Sequence, residues 1–282
     1  MNFYIVIPAH NEEAFISKTL QSLIDQTLQP KKIIVVNDNS TDNTQTIIES
    51  FSENYQFIKS VSINSSAVNI PGSKVINAFK SGLKELDNEY DVICKFDADL
   101  IFPSNYLETL QSIFKKNSNC GMAGGFCYIE KNDQWVLENL TNKDHIRGAL
   151  KAYRKECFND IKGLKSAMGW DTVDELIAQY HGWKIYTDES LIVKHLKPTG
   201  KAYSNKAKYK QGEAFYKLRY GIVLTKIASL KLAFKKRNFF FYVFCVIGFI
   251  KAFLNQTPFL VNKKEGKFIR KLRWKNILKK IF

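Results

Sequence analysis

The first 100 residues alternate short apolar runs with longer segments in which apolar side chains recur every three or four positions. The runs are rich in β-branched residues and predict strands, and the periodic segments predict helices. We place the strands at residues 3–8, 32–36, 56–63 and 92–96 and the helices at residues 12–26, 43–53 and 74–86. Alternating strands and helices predict an α/β fold with an open, mostly parallel sheet that is flanked by helices.

Beyond residue 100 the pattern is less regular. It predicts strands at residues 121–129 and 184–193 and helices near residues 147–159 and 171–181. After residue 197 the sequence becomes basic, aromatic and helical in character, so we place a domain boundary near residue 200. The expected organisation is an α/β domain of residues 1–200, followed by a basic amphipathic helical region of residues 201–282.

The net charge of +15 is concentrated at the C-terminal end of the chain. Residues 197–282 hold 22 Lys and Arg residues and only two acidic residues, Glu213 and Glu265, whereas residues 1–196 carry a net charge of −5. A basic region of this kind predicts an anionic partner, such as lipid headgroups, nucleic acid or an acidic polymer.

The cysteines and the N-terminus indicate the cellular compartment in which the protein is expected to lie. The five cysteines include no Cys-x-x-Cys pair, which argues against a disulfide framework or a zinc site and fits a reducing compartment. Because a strand is predicted to begin within three residues of the N-terminus, we expect no secretory signal peptide. The expected location is therefore the cytoplasm.

Polar side chains follow three of the predicted strands. Asp97 and Asp99 stand one residue apart after the run 92–96, and Asn11 and Asp38 follow the first two strands. Ligands of open α/β sheets bind at the carboxyl ends of strands, so these residues indicate a binding site. Two carboxylates on one face favour a hard cation such as Mg²⁺ or Mn²⁺, shared with substrate phosphates. The alternative is a solvated Asp-x-Asp at a strand exit.

Several stretches of the chain resemble the motifs of family-2 glycosyltransferases with the GT-A fold. The matching stretches are I-V-I-P-A-H-N-E-E (5–13), S-L-I-D-Q-T (22–27), I-I-V-V-N-D-N-S-T-D (33–42), F-D-A-D (96–99), G-W-D-T-V-D-E with H-G-W-K-I (169–185) and V-K-H (193–195). The resemblance covers about the first 200 residues. It departs from the family pattern at Asn37, where the family usually has Asp, and at Trp170-Asp171, where the family often has Glu-Asp.

This resemblance implies an activity and a cofactor. The implied reaction is an inverting transfer of a sugar from a nucleoside-diphosphate sugar, expected to be a UDP-sugar, to a hydroxyl acceptor in cell-envelope polysaccharide or glycolipid synthesis. A divalent cation, Mn²⁺ or Mg²⁺, is the implied cofactor, as a Lewis acid for the leaving diphosphate. By resemblance, Asp99 is its direct ligand, Asp97 reaches the ribose or, through water, the metal, and His195 supplies an imidazole. The alternative for His195 is a plain polar side chain.

The resemblance also assigns residues to the nucleotide. The expected binding residues are Pro8, Ala9, Asn11, Glu12, Asp38, Lys74, Asp97 and Ala98. Asp38 is expected to hydrogen-bond the base, a contact that suits the N3–H of uracil, although a turn residue is the alternative. Residues 69–74 precede a helix, where N–H groups and a cation suit phosphate, and Lys74 and Asn77 are either phosphate contacts or merely solvated.

The general base should be a carboxylate near the start of the helix predicted at residues 171–181. Asp171, Asp174 and Glu175 crowd there, and by the family spacing Asp171 fits best and Asp174 second. Helix capping is the alternative role for these carboxylates. Trp170 is either a stacking platform for a sugar or a core residue.

The C-terminal region pairs apolar and basic segments. Residues 239–250 form an apolar run of 12 residues, well below the ~20 needed to span a bilayer, and Lys235-Lys236-Arg237 precede it. The pairing predicts peripheral, monotopic attachment to an anionic membrane surface on its cytoplasmic side, near a glycan or lipid-linked acceptor. A helical subdomain packed on the core is the alternative. No nucleic-acid recognition module accompanies the charge, so nucleic acid is not an expected partner.

Three functions stay open on the sequence. The first is the metal-dependent inverting glycosyltransferase. The second is a nucleotidyltransferase, which would favour a glycine-rich, basic phosphate loop after the first strand, and residues 8–11 do not form one. The third is a non-catalytic, membrane-associated nucleotide-binding or scaffold protein, against which the carboxylates at the expected positions count.

Overall fold

The computed structural model describes residues 1–65, 72–138, 142–197 and 209–279, in two compact units, Met1–Thr199 and Gly200–Phe282. The first unit is built on a single sheet. Its strands are β1 (Phe3–Ala9), β2 (Lys32–Asp38), β3 (Ile58–Ile63), β4 (Val92–Phe96), β5 (Leu100–Ile101), β6 (Cys120–Lys131), β7 (Gln134–Leu137), β8 (Leu150–Arg154) and β9 (Lys184–His195). Its helices are α1 (Ile16–Ile24), α2 (Thr44–Asn54), α3 (Ser73–Leu83), α4 (Tyr106–Lys116), α5 (Lys155–Asp160) and α6 (Trp170–Tyr180).

The strands of this sheet follow the order β3-β2-β1-β4-β8-β6-β9-β5, and β7 pairs with β6. Strands β3, β2, β1 and β4 run parallel, and so do β6 and β9. Strand β8 is antiparallel to both of its neighbours, so the second half of the sheet is mixed. The predicted α/β fold class, a sheet flanked by helices in the GT-A manner, is confirmed.

The central strand β1 is buried on both faces. Residues Tyr4 to Ile7 have no exposed surface, and successive strand side chains face opposite ways. Helix α3 packs closely on this strand, because a Cβ at Gly82 would lie only 2.5 Å from Val6 Cγ1 and 2.8 Å from Val36 Cγ2. The parallel half of the sheet is therefore a tightly covered platform for the residues at its carboxyl edge.

The helix predicted near residues 147–159 is wrong in its first part. Leu150–Arg154 form β8, which lies between β4 and β6, and α5 begins only at Lys155. The error has a physical cause: Lys151 has the pattern of a solvent-facing position, but its side chain is fully buried in ion pairs. Helix α4 and the short strands β5 and β7 have no counterpart among the predicted elements.

The second unit contains four helices in its described part. They are α7 (Lys210–Lys217), α8 (Gly221–Lys235), α9 (Phe239–Leu254) and α10 (Lys263–Leu278). Helices α7 and α9 pack backbone to backbone, because a Cβ at Gly212 would lie 1.8 Å from the carbonyl oxygen of Cys245. Within the described ranges, no helix combines the length and the apolar character that crossing a membrane requires.

Candidate active site

The loops that follow β1 and β2 are tied together by hydrogen bonds. The backbone N–H of Asn11 donates to Ser40 Oγ at 2.9 Å, and the N–H of Thr41 donates to Asn11 Oδ1 at 2.8 Å. Asn11 has a left-handed backbone with φ of 54°, which asparagine tolerates well. Ahead of this loop, Ala9 is buried at the end of β1 and Pro8 is half-buried. Asn11, which is one of the residues predicted to bind the nucleotide, therefore holds the loop after β1 in shape.

Asp38 lies buried at the carboxyl end of β2, where a ligand of the sheet would bind. Its Oδ1 accepts from the Ser65 N–H at 3.1 Å and its Oδ2 accepts from Ser65 Oγ at 2.8 Å. Asn37, the departure from the family pattern, donates to Gln45 Oε1 at 2.7 Å. Asp38 is therefore already hydrogen-bonded, and a base that bound it would exchange with Ser65.

The polar face of α1 braces the turn that carries the two aspartates. Thr19 Oγ1 donates to the carbonyl oxygen of Ala98 at 2.7 Å and accepts from the Leu100 N–H at 3.0 Å. Gln26 Oε1 accepts from the Leu107 N–H at 3.0 Å. Thr19 therefore holds the turn after β4 in place, and Gln26 of the motif S-L-I-D-Q-T holds the start of α4.

The two aspartates of the turn have different partners. Asp97 is half-buried and forms an ion pair with Lys95, whose side chain is buried on β4. Asp99 is buried, and its Oδ2 lies 3.4 Å from Nε2 of His195. The pairing of β5 with β9 sets His195 opposite Leu100, so the sheet itself brings the imidazole to the Asp-x-Asp turn. The structure thus brings Asp99 and His195 together.

A second carboxylate, which the sequence analysis missed, supports His195 from the other side. Nδ1 of His195 lies 2.9 Å from Oε2 of Glu138, and Glu138 is in turn paired with Arg147. Burial lowers the pKa of His195, but the contacts with Asp99 and Glu138 outweigh burial and raise it to about 9. No motif marks Glu138, because it lies 57 residues away from its partner in the sequence.

Glu12 contributes a carboxylate oxygen without a hydrogen-bond partner. Its Oε1 lies 2.9 Å from Lys197 Nζ, whereas its Oε2 is buried and unbonded in the described part of the chain. Burial, followed by the charges of Asp99 and Asp97, raises the pKa of Glu12 against the opposing effect of Lys197. A buried, unpaired carboxylate oxygen beside other carboxylates is a setting that a cation would satisfy.

The donor atoms of this region fit a hard divalent cation, because they combine carboxylate oxygens with one imidazole. The described residues contain no group of three or more His, Cys, Asp and Glu side chains already gathered around one point. Asp97 is engaged by Lys95, and Asp99 faces Nε2 of His195 at 3.4 Å. Asp99 and His195 are thus in contact, but the described side chains do not form a complete coordination shell for a metal ion.

Asp171, the first base candidate, lies in the first turn of α6 with its side chain 31% exposed. Its Oδ2 lies 3.5 Å from Nε2 of His145, and Nδ1 of the same ring lies 2.9 Å from Oε2 of Glu175. Burial raises the pKa of Asp171, but the contact with His145 and the charge of Lys151 lower it to about 2. Asp171 is therefore an accessible, ionised carboxylate held by an imidazole.

Asp174, the second base candidate, is buried among ion pairs. Its side chain is 1% exposed, and its Oδ1 lies 2.8 Å from Lys151 Nζ. Tyr153 donates its hydroxyl to Oδ2 of Asp174, and Lys151 also lies 3.0 Å from Oε1 of Glu175. Burial raises the pKa of Asp174 to about 7. Both oxygens of Asp174 are thus occupied inside the protein, so Asp171 is the more accessible of the two base candidates.

Trp170 is a core residue rather than an open stacking platform. It is 7% exposed, and the ammonium groups of Lys95 and Lys151 lie 5.4 and 5.9 Å from its ring centroid. A Cβ at Gly148 would lie 2.6 Å from the ring, so the segment just before β8 packs directly on it. The ring thus lies against the two lysines that pair with Asp97 and Asp174.

The predicted phosphate contacts lie at the start of α3. Lys74 is half-buried in the first turn, and the exposed Asn77 accepts a hydrogen bond from Ser166 Oγ at 2.7 Å. Residues 69–71 of the predicted loop lie outside the described residues. No described contact ties Lys74 to the carboxylates above.

Residues 145–151 connect the carboxylates around His195 with the carboxylates at the start of α6. His145 contacts Asp171, Arg147 contacts Glu138, and the carbonyl oxygen of Gly148 accepts from Lys95 at 3.0 Å. A cavity with a volume of about 280 Å³ is lined by Glu138, His145 and Arg147, among others. Glu138, which contacts His195, and His145, which contacts Asp171, therefore line the same cavity. This could not be foreseen from the sequence, where the segment was expected to begin a helix near residues 147–159, whereas it leads into β8.

The buried Lys151 makes a prediction about stability. Replacing Lys151 with Met should lower the free energy of unfolding by about 3–5 kcal/mol at pH 8, because Asp174 and Glu175 would be left buried without their cation. The deficit should shrink at pH 5: Lys151 lowers the pKa values of both carboxylates, so without it they take up protons more readily.

Urea denaturation of the full chain at the two pH values measures this effect. Lys155→Met is the matched control, since that lysine is half-buried and its ammonium group contacts the carbonyl oxygen of Asn88 and the ring of Tyr90 but no carboxylate among the described contacts. An unchanged free energy of unfolding in Lys151→Met would show that the buried cluster is not ionic.

Comparison with known proteins agrees with this arrangement. The model of the glycosyl transferase family 2 matches residues 4–163, more than half of the chain. A poly-beta-1,6-N-acetyl-D-glucosamine synthase from Staphylococcus epidermidis is 30% identical over 196 residues, which is 64% of this chain and 45% of that protein. The chain spans only 22% and 45% of the lengths of the first curated relatives that it matches.

Two solved structures share the fold. TarS of S. aureus in complex with UDP-GlcNAc has a TM-score of 0.57 at 17% identity, covering 83% of this chain and 67% of that chain. The mannosyltransferase PcManGT from Pyrobaculum calidifontis, in complex with GDP-Man and Mn²⁺, has a TM-score of 0.55 at 15% identity, covering 76% and 62%. The sheet and its carboxylate edge thus define a glycosyltransferase with a GT-A fold. The chain belongs to glycosyl transferase family 2.

Proposed function

We propose that this enzyme transfers a sugar from a UDP-sugar to a hydroxyl group of a cell-envelope glycan or lipid-linked acceptor, with inversion at the anomeric carbon. The observation that carries the proposal is the pair of carboxylate–histidine contacts, Asp99–His195 and Asp171–His145, together with the cavity that His145 and the His195 partner Glu138 line. The two pairs suit the two tasks of the reaction, which are stabilising the leaving diphosphate and deprotonating the acceptor.

Asp99 and His195 would hold a divalent cation, which would take the place of the imidazole proton at Nε2, with Asp97 contacting the cation through water or reaching the ribose instead. The Oε2 of Glu12 supports this assignment, because this buried carboxylate oxygen at the same edge has no hydrogen-bond partner in the described part of the chain. A cation bound there supplies a Lewis acid for the leaving diphosphate. The Mn²⁺ named for PcManGT is consistent with this choice. Glu138 and Arg147 hold the His195 ring in place for the task.

Asp171 would act as the general base. Its side chain is partly exposed, and its low pKa keeps it ionised at neutral pH, so it can accept the proton of an acceptor hydroxyl that attacks the anomeric carbon. Attack from the face opposite the leaving diphosphate inverts the anomeric centre. His145 would act as a positioning residue, because it contacts Asp171 and is itself fixed by Glu175.

The nucleotide would lie at the carboxyl ends of β1 and β2, against Pro8, Ala9 and Asn11, with Asp38 contacting the base. A UDP-sugar is supported by the complex named for TarS, and a cell-envelope acceptor is supported by the poly-N-acetylglucosamine synthase. Lys74, at the start of α3, would meet a phosphate.

Product analysis tests the proposed reaction. Incubation of the full chain with a panel of UDP- and GDP-sugars, Mn²⁺ and a bacterial glycan and lipid extract should release nucleoside diphosphate from one donor. Release of pyrophosphate from UTP and a sugar phosphate would instead identify a nucleotidyltransferase. Tight nucleotide binding with neither product would identify a non-catalytic binding protein.

The proposed role of His145 predicts a shift in pH dependence. In His145→Gln, the pKa of Asp171 should rise from about 2 towards or above its ordinary value of 3.8, because the imidazole lowers it and burial raises it. The acid limb of kcat/KM should therefore move to higher pH, since the base must be ionised. The matched control is His181→Gln, because His181 is exposed at the end of α6. A parallel fall in activity at all pH values would contradict the positioning role.

A further inference from the structure

The turn between α8 and α9 carries exposed phenylalanines around three consecutive cations. Phe234, Phe239 and Phe240 are 75%, 67% and 70% exposed. Between them stand Lys235, Lys236 and Arg237, and every residue from 234 to 240 is exposed. We call residues 234–240 the basic-aromatic turn. Three exposed phenyl rings within seven residues are unfavourable in water, so this surface is suited to a partner that covers it.

The exposed apolar surface continues from the turn along both helices. On α8, Val223, Ile227, Leu230 and Phe234 are all exposed and recur at intervals of four, three and four residues, which is the spacing of one helix face. On α9, Val243, Ile250 and Leu254 extend the series that begins at Phe239. The turn is thus the end of a larger apolar surface on an otherwise basic unit.

The charge around this surface is almost entirely positive. Helices α8 and α9 contain no acidic residue. The acidic residues of the second unit are Glu213 and Glu265: Glu213 pairs with Lys217 at 2.5 Å, and Glu265 caps α10 with Asn262. Lys226, Lys231 and Lys235 on α8 are exposed beside the apolar face. A partner must therefore offer negative charge and apolar material side by side.

We propose that the basic-aromatic turn docks this chain on an anionic lipid bilayer. The phenylalanines would enter the boundary between headgroups and acyl chains, and Lys235, Lys236 and Arg237 would contact lipid phosphates. A second copy of this chain fits less well, because two strongly positive faces repel each other. Nucleic acid also fits less well, because the exposed face contains Val, Ile and Leu side chains that have no role in stacking on bases.

Vesicle flotation with the full chain tests the proposal. Binding should be strong for vesicles that contain phosphatidylglycerol, weak for phosphatidylcholine alone, and reduced by added salt. Phe239→Ser with Phe240→Ser should lower the partition coefficient about tenfold or more. Leu137→Ser with Ile192→Ser is the matched control, because these apolar residues of the first unit are 36% and 42% exposed, and it should bind like the unaltered chain.

A variant with fewer positive charges separates the contribution of the lysines to vesicle binding from that of the phenylalanines. Lys235→Gln with Lys236→Gln should lose most of the preference for anionic vesicles, whereas Lys115→Gln with Lys116→Gln, also two adjacent exposed lysines, should not. Equal loss in both lysine pairs would overturn the proposal, since binding would then follow net charge alone. Dimerisation that depends on Phe239 and Phe240, or binding of RNA but not of vesicles, would also overturn it. None of these readouts depends on sugar transfer, so they stand apart from the proposed activity.

Discussion

Replacing Asp99 with Asn is expected to lower kcat/KM for sugar transfer by roughly 10²- to 10⁴-fold. The neutral amide would remove the carboxylate that contacts His195, and with it the principal oxygen ligand of the proposed cation. Loss of a Lewis acid at the leaving diphosphate costs several kcal/mol of transition-state stabilisation, at about 1.4 kcal/mol for each factor of ten. Steady-state kinetics with the donor identified by product analysis measures the change.

Two other variants serve as comparisons for Asp99→Asn. Asp25→Asn replaces an exposed aspartate at the end of α1, and it should leave the kinetics unchanged. Asp97→Asn should have a smaller effect than Asp99→Asn, because the Asp97 carboxylate is turned to Lys95. If Asp99→Asn kept the kcat/KM of the unaltered enzyme, the metal role of this residue would be wrong.

Replacing Asp171 with Asn is expected to lower kcat by roughly 10²- to 10⁴-fold while leaving the affinity for the nucleotide unchanged. The amide retains the shape of the side chain but cannot accept the proton of the acceptor hydroxyl. Nucleotide affinity should persist, because the nucleotide is proposed to bind at β1 and β2. Single-turnover kinetics together with equilibrium binding of UDP measures the two effects separately.

Asp174→Asn is the informative comparison, three residues further along the same helix. It should lower the free energy of unfolding, because the carboxylate bonds to Lys151 and Tyr153 inside the protein. The folded fraction should keep most of its kcat. The opposite pattern, with catalysis lost in Asp174→Asn and retained in Asp171→Asn, would contradict the assignment of the base.

Much of the first half of the fold could be predicted from the sequence, because its signals are local. Each parallel strand is a continuous apolar run, and Asp38 and Asp97 follow directly from the positions at which their runs end. The predicted strand at 32–36 begins where β2 begins and ends two residues earlier, and the predicted helix at 43–53 differs from α2 by one residue at each end.

The second half depends on contacts that are distant in the sequence. Lys151 is a polar residue in a buried strand, and only its partners on α6 explain why it is there. In the same way, the sequence does not distinguish Asp171 from Asp174, since both lie early in one helix. The rotation of α6 against β8 decides which carboxylate is buried and which is exposed.

The contacts of His195 could not be predicted from the sequence for the same reason. Its position after a strand could be predicted, but its two carboxylate neighbours come from the turn after β4 and from the end of the β6–β7 hairpin. Tertiary structure alone joins these three segments. The residues proposed to bind or react are therefore easier to identify from the sequence than Glu138 and His145, which contact them.

Calorimetric titration of the full chain with UDP, with and without Mn²⁺, tests the central claim most directly. We predict that UDP binds tightly only with Mn²⁺, more tightly than UMP, GDP or CDP, and that Asp99→Asn abolishes the effect of the metal. UDP binding that is equally tight without Mn²⁺, or metal-dependent binding that survives in Asp99→Asn, would contradict a cation site at Asp99 and His195.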